Sequence, residues 1–218
     1  MAITRVPSLS AAAARGRLPR RLVQLLLGLA LFGVATGLLV RAHLGVTPWV
    51  VLHQGLALRT DLSLGTTTIG VGLVLLLAWI PLRERPGVGT VANVLLVGLA
   101  VDAALAVMPE VETLPARIAL AVTGVVLTAL AIAAYIGVRL GPGPRDGLMT
   151  ALVRRTGRSI RLVRTTIEAV VVLAGFFLGG TVGVATLLVV IAIGPLTQTF
   201  VRYLVVRLPG DPTPDGSS

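Results

Sequence analysis

Leu44-Gly45-Val46-Thr47-Pro48-Trp49 returns 96 residues later as Leu140-Gly141-Pro142-Gly143-Pro144-Arg145, with Asp146-Gly147 directly behind it. Laid together without a gap, residues 44–102 and 140–198 agree at 17 of 59 positions. Leu and Val matches carry little weight in an apolar chain, but Gly45 with Gly141, Pro48 with Pro144, Thr60 with Thr156 and Ser63 with Ser159 are of another kind. Gly87-Val88-Gly89-Thr90 also falls on Gly183-Val184-Ala185-Thr186, and Gly98 falls on Gly194. The chain reads as an internal duplication.

Each turn leads into a short apolar stretch that opens on a proline, at 48–58 and 144–153. At about 1.5 Å per residue neither can cross a hydrocarbon core about 30 Å thick as a helix, so both read as half-helices, either re-entrant or lying at the interface. Proline suits a first helical position, where its missing N–H has no partner to lose. Around them six runs are long enough to cross, at about 22–40, 66–82, 89–108, 116–138, 162–178 and 183–206. The expected fold is therefore an all-α integral membrane protein of about six spans, with a half-helix in each of two halves, about 22–108 and 116–206. Three crossings per half is an odd number, which sets the halves in opposite orientations as an inverted repeat. The membrane domain, 22–206, stands between a basic tail at 1–21 and a Pro-, Asp-, Gly- and Ser-rich tail at 207–218 that is expected to be disordered.

Composition agrees. The 218 residues are 55% hydrophobic and 13% charged, more apolar matter than a soluble domain of this size can bury. The net charge of +10 does not point to nucleic acid, because the basic residues bracket apolar runs and form no aromatic-interleaved face. They act as topology signals: with six crossings and the N-terminus inside, 16 Arg fall inside and three outside, against 14 and five for eight crossings. The first apolar run is too long for a signal peptide core and lacks a small-x-small cleavage site, so it reads as an uncleaved helix. With no Cys, thiolate metal sites, disulfides and Cys nucleophiles are excluded. No zinc-protease His pair, nucleotide-binding loop or paired intramembrane Asp is present, and neither an enzyme, a metal nor a cofactor is expected.

If the half-helices meet near the midplane, their starts offer unpaired backbone groups and positive dipole ends to a solute. The residues placed there are Pro48 and Trp49 in one turn and Gly141, Gly143, Pro144, Arg145 and Asp146 in the other. On the interfacial reading Trp49 is an aromatic anchor and Asp146 favours its helix start. His53 and Gln54 can contact a polar solute or simply face the headgroups. Glu168 is an acid inside a span, costing at least about 2.5–3.5 kcal/mol to insert, so it needs a partner or water. Arg164, one turn before it, makes either a structural i,i+4 pair or half of a coupling site. Asp102 is a further candidate for the path, and Gln198 is its repeat mate. The basic segment 154–164 suits anionic lipid headgroups. Oligomeric state is open.

Leu44-Gly45-x-x-Pro48-Trp49-x-x-Leu52 in the first half, and Gly141-Pro142-Gly143-Pro144-Arg145-Asp146-Gly147-Leu148-Met149 followed by Arg164 to Glu168, Gly179-Gly180, Gly183 and Gly194-Pro195 in the second, resemble the YczE/YyaS/YitT group of bacterial integral membrane proteins. The resemblance runs from about Gly28 to Phe200 and implies a bacterial integral membrane protein; with the Arg placement, the expected location is the cytoplasmic membrane, multi-pass, with both termini cytoplasmic. It implies nothing about activity. The leading expectation is a permease-like protein for a small solute; the competing one is a non-transporting factor that binds a lipid or partner protein.

Two outcomes separate these readings. A Cys placed at Thr60 should react with a membrane-impermeant maleimide on intact cells and one at Thr156 should not, since inversion sets the mates on opposite sides. Glu168→Gln and Asp146→Asn should each stop uptake in a transporter, whereas unchanged uptake would reduce both residues to helix anchors.

Overall fold

The structure, a computed structural model, describes residues 18–206; these form eight helices joined by short connections. In chain order they are α1 (Leu18–Ala42), α2 (Pro48–Thr60), α3 (Leu64–Leu82), α4 (Val88–Val107), α5 (Leu114–Gly137), α6 (Pro144–Thr156), α7 (Ile160–Phe177) and α8 (Val184–Leu204). The expected tail at 207–218, and all but the last four residues of the tail at 1–21, lie outside the described residues. Each expected span corresponds to one long helix, with edges shifted by up to four residues, and the two short stretches extend to 13 residues each.

α1, α3, α4, α5 and α8 are long and apolar enough to cross a membrane. α7 has 18 residues but carries Arg161, Arg164 and Glu168. Large apolar side chains on the outer faces stand uncovered, among them Leu27, Val74, Leu77, Ile80, Leu99, Phe177 and Ile191. In water such a belt would drive aggregation; in lipid it meets hydrocarbon.

α1 and α5 form the centre and run antiparallel, each with its end held by an arginine from the other's first turn. Arg21 donates to the carbonyls of Val138 and Arg139 at 2.8 and 3.1 Å, and Arg117 to those of Ala42 and His43 at 2.7 and 2.9 Å. Helix ends leave carbonyls unsatisfied, and a guanidinium satisfies two at once while meeting the negative end of the dipole. Small residues let the helices close: a Cβ on Gly28 would sit 3.0 Å from Ala134 Cβ, and one on Gly124 would sit 2.9 Å from Leu39. Lipid supplies no hydrophobic drive for association, so such approach and packing must supply it. α4 packs on α1 as α8 packs on α5, and α2 lies on α7 as α6 lies on α3.

The sequence duplication recurs in the backbone. Helices begin at 18 and 114, 48 and 144, 64 and 160, and 88 and 184, each pair 96 apart. Residues with positive φ recur at the same spacing: His43 with Arg139, Gly45 with Gly141, Asp61 with Gly157, and Arg83 with Gly179. Arg21 and Arg117 are also mates at this spacing.

The connections at 43–47 and 139–143 are the irregular points. Leu44 O accepts from Ala185 N at 2.9 Å, in the first turn of α8, and Leu140 O accepts from Gly89 N at 3.0 Å, in the first turn of α4. Thr90 Oγ1 adds a bond to Pro142 O at 2.8 Å. Glycine is required at 45 and 141, where φ is +110° and +130°. A Cβ there would also fall 2.6 Å from Thr186 Oγ1 and 2.8 Å from Thr90 Oγ1. Gly45→Ala and Gly141→Ala should each cost about 1–3 kcal/mol, read as a lower unfolding midpoint in detergent. Gly70→Ala, where nothing lies within 4 Å, should leave the midpoint unchanged or raise it.

Candidate functional site

α2 and α6 begin deep in the molecule. Both have proline in the first turn and an extended residue at the N-cap, Thr47 in one and Gly143 in the other, with no side-chain cap. Trp49, the second residue of α2, is 8% exposed, so its ring packs inside the protein. The Arg145 guanidinium, from the second residue of α6, lies 5.6 Å from the Trp49 ring and 5.5 Å from the Phe32 ring, so the two helix starts face each other across α1.

Beside them lies a cavity of about 300 Å³. Thr47, Pro48 and Trp49 come from the start of α2; Arg145, Asp146 and Met149 come from α6. α5 contributes Thr128, Ile132 and Tyr135, α7 contributes Arg164 and Glu168, and α8 contributes Val189, Ile193, Thr197 and Gln198. Tyr135 donates its hydroxyl to Asp146 Oδ2 at 2.9 Å. Arg164 Nε donates to Glu168 Oε1 at 2.9 Å across one helical turn, with both side chains partly exposed. Arg145 has no hydrogen bond or ion pair among the described residues, in contrast to Arg164.

Of the residues expected at the path, Pro48, Trp49, Arg145, Asp146, Arg164 and Glu168 are brought together here. His53 and Pro144 line a second space, of about 20 Å³, with Arg145. His53 is 5% exposed and its Nδ1 is 3.0 Å from Thr68 Oγ1. Gln54 accepts from Thr181 N at 3.1 Å and ties α2 to the turn before α8. Asp102 lines neither space: it accepts from Ser63 Oγ at 2.5 Å and Gly65 N at 2.7 Å, fastening α3 to α4. Gly143 makes room for Asp146 and the Tyr135 hydroxyl, while Gly141 packs on Thr90 and Gly87. Sequence reasoning missed Tyr135 and Thr128, which an apolar span does not distinguish from core.

The two spaces occupy equivalent places in the repeat. His53, Thr68, Val71, Gly72, Val94 and Val97 line the small one where their mates Met149, Arg164, Ile167, Glu168, Val190 and Ile193 line the large one. The difference lies in the adjoining helix pair. α3 packs closely along α4, with Gly65 against the Gly98 carbonyl, whereas the consecutive helices α7 and α8 scarcely touch, and a Cβ on Gly194, the mate of Gly98, would meet nothing within 4 Å beyond its own helix.

Three relatives match most of this chain. An uncharacterised protein of Haemophilus influenzae is 37% identical over 188 residues, 86% of each chain. An uncharacterised membrane protein of Bacillus subtilis, YczE, is 31% identical over 81% of this chain and 85% of its own. YyaS of the same organism, also uncharacterised, is 24% identical over 80% and 89%. The resemblance to YczE and YyaS seen in the paired turns therefore extends along most of the chain, and with the apolar helices it assigns the protein to a membrane. No solved structure matches. The profile of a family of unknown function, DUF6198, matches residues 19–202, and the chain belongs to that family.

Proposed function

We propose that this protein is a permease-like carrier of a small solute in the bacterial cytoplasmic membrane, built from two inverted halves of three crossings and one re-entrant half-helix each. The observation that carries the reading is the pair of repeat-equivalent spaces, one of about 300 Å³ and one of about 20 Å³. Two halves of one design that hold the same site in opposite orientations have two natural states, related by exchanging which half is open. Here the α3–α4 side is shut and the α7–α8 side is apart. Both helix starts stay at the site in either state.

In this reading α7 is the sixth span, its Arg164–Glu168 pair facing the cavity. The Arg-rich 139–164 region is cytoplasmic, with both termini on the same side, and the cavity opens toward it. The 154–164 segment would rest against anionic headgroups: Arg154 already pairs with Glu84 and Arg155 reaches Pro81 O at 2.9 Å, while Arg158 and Arg161 are exposed.

The absence of Cys makes the exchange testable. Ser63 and Asp102 touch across the shut α3–α4 side, and their mates are Ser159 and Gln198 across the α7–α8 side. Ser63→Cys with Asp102→Cys should form a disulfide readily in isolated membranes treated with copper phenanthroline. Ser159→Cys with Gln198→Cys should also form one, more slowly, as the α7–α8 side closes in the minor state. If the first pair couples and the second never does, the halves do not exchange, and a fixed lipid- or partner-binding factor becomes the better description.

A further inference from the structure

The wall of the large cavity selects among ligands. In α2 the first N–H to bond within the helix is that of Val51, to Thr47 O at 3.0 Å, and in α6 it is that of Gly147, to Gly143 O at 3.0 Å. The amides of Trp49, Val50, Arg145 and Asp146 therefore have no acceptor within their helices, and both positive dipole ends converge on one place. Thr47, which lines the cavity at the start of α2, is 6% exposed, and its hydroxyl has no hydrogen-bond partner among the described residues. Buried hydroxyls are rarely left so. Beside these groups stands the Arg145 guanidinium, held over two aromatic rings and without an ion pair among the described residues.

Taking the cavity as the solute site of the carrier proposed above, we infer that its ligand is a small organic carboxylate with an apolar body. The carboxylate lies against Arg145, the free first-turn amides and the Thr47 hydroxyl. A planar guanidinium offers two parallel N–H groups that match the two oxygens of a carboxylate. A cation at the same place would face Arg145 and two positive helix ends. A dianion such as phosphate is disfavoured from the other side, because Asp146 and Glu168 line the same cavity and repel a second negative charge. Phe32, Ile132, Val189 and Ile193 complete the wall and suit an apolar body.

The test uses the purified full-length protein in detergent, with its unfolding midpoint followed against butyrate and benzoate. Butyramide, butylammonium and inorganic phosphate serve as matched neutral, cationic and dianionic probes. The carboxylates should raise the midpoint saturably, the other three should not, and Arg145→Gln should weaken the carboxylates by about tenfold or more, as expected for loss of a charge-assisted pair. Arg59→Gln, at an exposed position outside the cavity, should bind as the parent does. A midpoint raised equally by butyramide, raised only by butylammonium or most by phosphate, unmoved by either carboxylate, or unaffected by Arg145→Gln would each overturn the inference. The disulfide experiment keeps the two proposals apart: carboxylate binding without α7–α8 coupling leaves the site and removes the carrier, and coupling without carboxylate binding does the reverse.

Discussion

Everything in this fold depends on how two stretches of irregular backbone are satisfied away from water. A peptide group in hydrocarbon with no partner costs several kcal/mol, so non-helical chain at membrane depth must be enclosed by protein. The solution is reciprocal. Leu44 O serves the first turn of α8, and Leu140 O serves the first turn of α4, so each half provides an acceptor for a helix start of the other. The arginine caps follow the same rule, Arg21 holding the end of α5 and Arg117 the end of α1. Neither half is complete alone, and the exchange of caps brings the starts of α2 and α6 together at the centre.

That placement turns a structural requirement into a site. A helix start in a membrane carries free N–H groups wherever it lies, and proline in the first turn removes only one of them. Setting two such starts side by side concentrates donors and partial positive charge at one place. Tyr135 and Asp146 fit the same logic, since a carboxylate in the first turn of α6 is favoured by the dipole and further held by the hydroxyl.

The eight helices and the duplication were legible because the governing signals are local: apolar run length, proline at a helix start, and glycine where the backbone turns left-handed. Gly45 and Gly141 show this well, each sitting at a positive φ and against a threonine of the opposite half. The repeat in fact starts earlier than residue 44. Leu18-Pro19-x-Arg21 matches Leu114-Pro115-x-Arg117 at the same spacing, but the intervening α1 and α5 diverge too far for a short window to link them. The role of Asp102 was not legible, because an acid in an apolar run looks the same whether it faces a path or fastens α3 to α4 through Ser63 and Gly65. Nor does sequence periodicity reveal that α7 stands away from α8.

The cause of that separation is nonetheless written in the mates. Where α3 presents Gly65, Thr68 and Gly72, α7 presents Arg161, Arg164 and Glu168. Small residues let α3 close on α4 with little polar surface to desolvate. Closing α7 on α8 must take a charged pair out of water, and the mutual attraction of Arg164 and Glu168 offsets only part of that cost. In the proposed carrier the two states are therefore unequal, with the state in which α7 stands apart as the resting one. A ligand can reverse the balance only through contacts that are stronger in the closed state. In that proposal, a solute that adds partners for the guanidinium groups as water leaves would supply that difference. The charges that keep the empty α7–α8 side open then also make its closure depend on what is bound.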